Sequence, residues 1–348
     1  MKQYFIGTAN FFDLIAKLRA NSKVIAPVKF NEISRLVEIN DKNISDIDIF
    51  GYRTVESYKS YLFKLIERVS RYFGHDEAPQ GKNLTFLGVR ACDLEALEVV
   101  DRVFGEGDFK DPFYLVDRKN ILLIATDCTA SGETCFCTMV GGKPYPTRYF
   151  DINLTPVIGG FAAEVGSDKG NALITENPGL FMDADTSMLK NKDKIRQMVT
   201  ALLDENNRNY RLKFKISDSH KVNLTNKIWK TLTKDCVECS SCNFICPTCT
   251  CFLLVDEAGA PQNERFKEWD ACLKGAYAKV AGGANPRGKL YERLQNRYHC
   301  KFDYSFDRLG RYTCVGCGRC IDGCAGNIDM RKIFVELEKQ APLTAKLE

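Results

Sequence analysis

Eight of the sixteen cysteines stand in two runs of identical spacing, Cys236-Val-Glu-Cys239-Ser-Ser-Cys242-Asn-Phe-Ile-Cys246-Pro247 and Cys314-Val-Gly-Cys317-Gly-Arg-Cys320-Ile-Asp-Gly-Cys324. Each reads C-x2-C-x2-C-x3-C. Three thiolates two residues apart can wrap one iron-sulfur cubane, whereas the fourth, one residue later, is carried around the turn and away, so it ligates the other cluster. The spacing therefore predicts one 4Fe-4S cluster on Cys236, Cys239, Cys242 and Cys324 and a second on Cys314, Cys317, Cys320 and Cys246. Zinc is the rival, because paired C-x2-C knuckles also build tetrahedral zinc sites. Zinc needs four ligands per metal and not overlapping quartets, and Pro247 after the first run favours the clusters. Ala325 stands where a proline usually follows the second run. Proline is no ligand, so the expectation there is a different turn around an intact cluster.

A chain of 348 residues and ordinary hydrophobicity has room for two domains with their own cores. Asp13 and Lys17 interrupt the apolar run of Phe11, Phe12, Leu14 and Ile15, so no signal peptide is expected and the cysteines are assigned to a reducing, anaerobic cytoplasm. Apolar runs such as Ile121 to Ala125 fall far short of the roughly 20 residues of a membrane helix, so no membrane span is expected. A net charge of +4 without a basic stripe interleaved with aromatics gives no case for nucleic acid. Basic residues do gather between the cysteine runs: Lys274, Lys279, Arg287, Lys289, Arg293, Arg297 and Lys301. Cations there would raise the potential of anionic clusters or receive an acidic partner; a solvated helix face is the alternative.

Taken in order, Phe11 to Leu18 has helical spacing and Lys23 to Phe30 reads as a buried strand. Tyr58, Tyr61, Leu62, Leu65, Ile66 and Val69 suggest an amphipathic helix, and Asn83 to Val89 a strand running into Arg90-Ala-Cys92-Asp93, with Asp93 as helix N-cap. A further strand, Ile121 to Ala125, precedes Cys128. Val157 to Val165 and Ala172 to Thr175 read as antiparallel strands, and Ser187 to Asn206 as a charged helix with Met188, Leu189, Ile195, Met198, Val199 and Leu202 inward. The polar stretch 207–226 would link the domains, with a boundary near Thr225. Beyond it Ile228, Trp229 and Leu232 open a helix, and the insert between the cysteine runs is helical in pattern. The expected architecture is an α+β or α/β domain over 1–225 followed by an all-α, α-helical ferredoxin-like dicluster domain over 226–348.

Along nearly its whole length the chain resembles the iron-sulfur β subunit of cytoplasmic sulfhydrogenases, a family closely related to the iron-sulfur subunit of anaerobic sulfite reductase. The likeness is carried by Ala26-Pro-Val-Lys29, Gly88-Val-Arg-Ala-Cys-Asp93, Cys135-Phe-Cys137, Cys246-Pro-Thr-Cys-Thr-Cys251, Arg265 with Trp269 and Cys272, Ala281-Gly-Gly283, Asn296-Arg-Tyr298 with Cys300, and the second cysteine run. The resemblance implies an electron-transfer subunit of a hetero-oligomer, relaying electrons between a flavin- and NAD(P)-binding partner and a catalytic partner. That catalytic partner would be a nickel-iron hydrogenase with sulfur reductase activity or a sirohaem sulfite reductase. The sequence shows neither partner's apparatus: no strand-linked G-x-G-x-x-G and no P-loop. Ala284 stands where the family tends to have a histidine after the Gly-Gly pair.

Cys92, Cys128, Cys135 and Cys137 form a candidate third 4Fe-4S site, with a zinc site or simple packing as alternatives. Cys92 and Cys128 follow strands, whose C-terminal ends form the usual ligand crevice of an open α/β sheet. In Cys135-Phe-Cys137 an extended backbone would turn both thiols to one side, and the Thr129 to Thr134 loop, with Gly132, would let Cys128 reach them. Cys249, Cys251, Cys272 and Cys300 remain: buried packing thiols, an extra metal site, or the reactive site of a disulfide or sulfur reductase, which is the alternative function beside a zinc-stabilised interaction module. His75, His220 and His299 join no catalytic constellation and read as hydrogen-bonding residues, and Trp269 reads as packing. No catalytic residue is assigned.

Overall fold

The computed structural model describes residues 3–73, 79–213, 216, 226–259 and 262–340. Two compact units account for the chain. The first comprises Met1–Phe63, Glu77–Glu133 and Gly141–Glu205; the second comprises Lys64–Asp76, Thr134–Val140 and Asn206–Glu348. Thr225, His75 and His220 lie outside the described residues.

The first unit opens with β1 (Gln3–Gly7), α1 (Thr8–Asn21), β2 (Lys23–Phe30) and β3 (Ile33–Glu38). The next strand in the chain, β4 (Ile66–Arg71), belongs to the second unit. The first unit continues with β5 (Leu84–Val89), α2 (Ala91–Gly105), α3 (Pro112–Lys119), β6 (Ile121–Thr126), β7 (Ile152–Val157), β8 (Gly160–Val165), α4 (Asp168–Glu176), β9 (Phe181–Asp183) and α5 (Thr186–Asn206). Its eight-stranded sheet has the order β3-β2-β5-β6-β7-β8-β1-β9. The central pairs β2 with β5, β5 with β6 and β6 with β7 are parallel, and the flanking pairs are antiparallel. Such a centre must be covered on both faces, which is why β5 is buried at every position. On one face Phe11, Leu14 and Ile15 of α1 pack against Val24, Ala26, Val28, Ile124 and Leu154. Arg90, almost fully buried, ties the strand ends together by donating to the carbonyls of Asp127 at 2.6 Å, Ile49 at 2.8 Å and Phe50 at 2.7 Å.

Several local expectations are corrected. Ala172 to Thr175 lies in helix α4, started by the Ser167 hydroxyl, which accepts from the Gly170 N–H at 3.1 Å. Asp93 sits inside the first turn of α2, whose N-cap is Arg90. On α5 the buried side chains are Lys192, Val199 and Leu203, while Met198 and Leu202 are exposed. The expected helix over 58–69 is a 3-10 turn at Tyr58–Tyr61 followed by β4. Strand pairing with 264–268, reinforced by the buried ion pair of Glu67 with Lys267 at 2.8 Å, outweighs the helical spacing of the aliphatic residues.

The second unit contains α6 (Asn226–Leu232), α7 (Ser241–Phe244), β10 (Phe252–Glu257), β11 (Glu264–Trp269), α8 (Leu290–Phe302), α9 (Tyr304–Leu309), α10 (Arg319–Asp322) and α11 (Met330–Gln340). The insert between the cysteine runs is therefore not helical throughout. It begins with the β10–β11 hairpin, completed by β4 into a three-stranded sheet, and becomes helical only at α8. The core is helical and aromatic: Trp229, Leu294, Tyr298, Phe302, Ile333 and Phe334 are buried together, and Phe136 is inserted among them. Around each short helix, α7 and α10, lies one cysteine run.

Candidate metal centre

In the first run the Cys236 N–H donates to the Thr233 carbonyl at 3.0 Å, just beyond α6. Glu238 and Ser240 then take left-handed backbone conformations, with φ of 56° and 59°, and the chain coils tightly into α7. Burial pushes the Cys236 thiol's ionisation up. The Glu238 N–H opposes this, and the neighbouring thiols of Cys242, Cys324 and Cys239 push it up further. Cys324, which follows α10, has its sulfur 3.3 Å from the Ile328 N–H. Backbone N–H groups aimed at sulfur are the contacts by which a protein stabilises thiolate ligands.

The second run repeats this geometry. Gly316 and Gly318 have φ of 63° and 75°. Burial raises Cys314 to about 12; the Gly316 N–H opposes the rise, and the thiols of Cys246 and Cys317 add to it. Cys320 is likewise raised by burial; Arg297 works against that, and the neighbouring thiols are those of Cys314, Cys317 and Cys246. Among the described residues no three His, Cys, Asp or Glu side chains gather tightly enough to hold a single metal ion.

Helix α8 carries Arg293, Arg297 and Lys301 four residues apart on one face, all buried. Spaced this way they form a stripe along the helix. Arg293 donates to Glu238 Oε2 at 2.6 Å and to the Leu273 carbonyl at 2.9 Å. Arg297 donates to the Cys242 carbonyl at 2.7 Å, and Lys301 to the carbonyl and hydroxyl of Thr248 at 3.1 and 2.9 Å. The stripe thus grips the first cysteine run from Glu238 to Thr248.

Among the described residues Arg297 and Lys301 have no carboxylate partner, and Arg297 Nε has no hydrogen-bond acceptor. Burying an uncompensated cation costs several kcal/mol. Burial disfavours the charged form of Arg297, yet the thiols of Cys242, Cys249, Cys320 and Cys246 hold it well above its ordinary range. Lys301 is held charged in the same way by Cys246, Cys249 and Cys300. Thiols balance cations only as thiolates, and thiolates bound to a metal centre carry that charge at neutral pH. The residues present fit 4Fe-4S clusters. The cation stripe was visible in the sequence as a four-residue repeat, but a repeat of basic residues reads equally as a solvated face.

The other cysteines are placed as follows. Cys92 lies in the first turn of α2 and Cys128 just past β6, both in the first unit. Cys135 and Cys137 are buried in the second unit, flanking Phe136. There the Phe136 N–H donates to the Gly316 carbonyl at 2.7 Å, and Asn207 donates to the Cys135 carbonyl at 2.8 Å. Cys249 and Cys272 lie against the buried amide of Asn243, which donates to Cys272 at 3.2 Å and reaches Cys249 at 3.8 Å, and Cys251 is hydrogen-bonded to Cys272. Cys300 is exposed. His299 is hydrogen-bonded to Asp303, and Trp269 stacks on Phe244 with ring centroids 6.4 Å apart.

A domain model described as a 4Fe-4S dicluster domain matches residues 235–328, which takes in both cysteine runs and α8. Two 4Fe-4S clusters are accordingly the cofactors of this region. Over its full length the chain is similar to sulfhydrogenase 2 subunit beta of Pyrococcus furiosus, 28% identical over 343 residues, covering 97% of this chain and 99% of that one. The two are distant full-length homologues. No helix among the described residues is long and apolar enough to cross a membrane.

Proposed function

We propose that this chain is an electron-transfer subunit of a multisubunit oxidoreductase, with Cys236, Cys239, Cys242 and Cys324 holding one 4Fe-4S cluster and Cys314, Cys317, Cys320 and Cys246 the other. When bound, each cluster takes up and passes on one electron at a time. The partners on this reading are a flavin- and NAD(P)-binding protein and a catalytic protein of the hydrogenase, sulfur reductase or sulfite reductase type. Its full-length relative is named as one subunit of a sulfhydrogenase, which supports a hetero-oligomer.

The observation that carries the reading is the pair of buried cations, Arg297 and Lys301, set among the thiols of both runs without a carboxylate among the described residues. That arrangement suits a permanently anionic prosthetic group. The chain's own residues wrap the first run through α8, orient Cys236, Cys314 and Cys324 by backbone N–H groups, and shield Cys317 from water.

Protein purified without oxygen should be brown, contain iron and acid-labile sulfide in equal amounts, show a reducible 4Fe-4S EPR signal, and oxidise no NAD(P)H by itself. Zinc without sulfide would replace the reading with a zinc-stabilised interaction module, and rapid NAD(P)H oxidation by the isolated chain would refute the role of relay. Two cubanes require about eight irons per chain.

A further inference from the structure

We propose that Cys251 and Cys272 form a reversible dithiol–disulfide couple, a redox site made of the chain's own side chains that exchanges with the S–S bond of a small-molecule disulfide. Neither thiol is needed for the two cluster quartets. The site therefore stands whether or not the relay reading does.

The backbone brings the two residues together. The β10–β11 ladder ends on the pair Phe252 and Trp269, and the next hydrogen bond, from the Asp270 N–H to the Cys251 carbonyl at 3.0 Å, holds Cys251 against the segment that carries Cys272. Asn243, itself 2% exposed, fixes the Cys272 sulfur by donating to it at 3.2 Å. Cys272 is 8% exposed while Cys251 is only part-buried, so Cys251 is the more accessible residue of the pair. Both are free thiols.

The chemistry of the surroundings divides the labour. Cys251 is pulled down to about 6, first by hydrogen bonding from Cys272 and then, against burial, by the Tyr277 hydroxyl and Lys301. Cys272 is pushed up, by the same contact and by burial. One side chain is a nucleophilic thiolate at neutral pH and its neighbour a protonated thiol, the arrangement of an attacking and a resolving cysteine. Simple packing would leave both as ordinary thiols among apolar atoms; an amide donor, a phenol and an ammonium group around one pair are a different environment.

In the exchange, the Cys251 thiolate attacks one sulfur of the disulfide RSSR. The Cys251–SR bond forms and RS⁻ leaves. Cys272 then loses its proton and attacks the Cys251 sulfur, forming the Cys251–Cys272 bond and releasing the second RS⁻. The protein pair gives up two electrons and the small disulfide gains them as two RSH, one proton coming from Cys272 and the other from water. An added dithiol reverses the sequence.

The test treats full-length protein, purified without oxygen, with glutathione disulfide, followed by alkylation, peptide mass spectrometry and an iron count. The expected result is a Cys251–Cys272 cross-link, two glutathione thiols released per chain, undiminished iron, and full reversal by dithiothreitol. Cys272→Ser should trap glutathione on Cys251, and Cys251→Ser should release none. In the untreated protein, alkylation of Cys251 should reach half its maximal rate near pH 6. The proposal is overturned if both residues of the wild-type chain stay fully alkylatable, if the cross-link appears only in chains that have lost iron, or if glutathione settles on another cysteine.

Discussion

The two cysteine runs share a spacing and a backbone: Glu238 and Ser240 in the first adopt the same left-handed conformation as Gly316 and Gly318 in the second. What lies outside them differs. Cys239 is exposed and Cys317 is buried. A Cβ on Gly316 would come within 2.6 Å of the Cys137 backbone, and one on Gly318 within 2.3 Å of the Thr134 carbonyl oxygen. In the first run the same two positions carry full side chains, and Glu238 reaches outward to Arg293. The cluster chemistry demands the loop, and each loop's neighbours decide whether glycine is obligatory or merely comfortable there.

The largest effects should come from breaking that difference. Gly318→Ala or Gly316→Ala adds an atom against immovable backbone and forces a positive φ on alanine, a cost on the order of 3 kcal/mol or more. The expected outcome is loss of the second run's irons, about four per chain, with a clearly lower melting temperature. Full iron content in either variant would show that the 134–137 segment does not wall in the second run.

The cation stripe sharpens the comparison further, because its members do not serve the runs alike. Arg297 lies near Cys242 of the first proposed quartet and near Cys320 and Cys246 of the second, whereas Lys301 lies near Cys246. A unit charge a few ångströms away at an effective dielectric of about 20 is worth roughly 2–4 kcal/mol, or on the order of 100 mV for a one-electron couple. Redox titration followed by EPR should show Arg297→Met shifting both clusters to lower potential by about that much. Lys301→Met should shift one and leave the other nearly in place. Equal shifts from Lys301→Met would remove the asymmetry.

The smallest expected effect runs the other way. Ser240 holds φ of 59° and its buried hydroxyl has no hydrogen-bond partner among the described residues. Ser240→Gly should therefore stabilise the protein, by about 1 kcal/mol, seen as a melting point a few degrees higher with iron content unchanged. A lower melting point would mean that the Ser240 side chain is needed in the first run.

The same contrast explains how much could be read from the sequence. The cysteine runs were legible because thiolate chemistry imposes a fixed local spacing, and the central strands β2, β5 and β6 because burial on both faces leaves continuous apolar runs. The β4–β11 pairing was not, since its partners lie about two hundred positions apart and local spacing at Leu62, Leu65, Ile66 and Val69 imitates a helix. Likewise Arg293, Arg297 and Lys301 announced a helical face without saying whether water or thiols lay against it. The surroundings of Cys251 and Cys272 were hidden for a similar reason. Asn243 on α7 contacts Cys272 and Tyr277 beyond β11 contacts Cys251, and no motif records that meeting.

The crossing of the two quartets is the central claim, and iron counting in two quadruple variants tests it most directly. Both variants carry Cys236→Ala, Cys239→Ala and Cys242→Ala; one adds Cys324→Ala and the other Cys246→Ala. Crossed ligation predicts that the Cys324 variant loses one cluster, about four irons, and the Cys246 variant two, about eight. The reverse result, eight lost with Cys324 and four with Cys246, would mean that each run holds its own cluster, and would contradict the account.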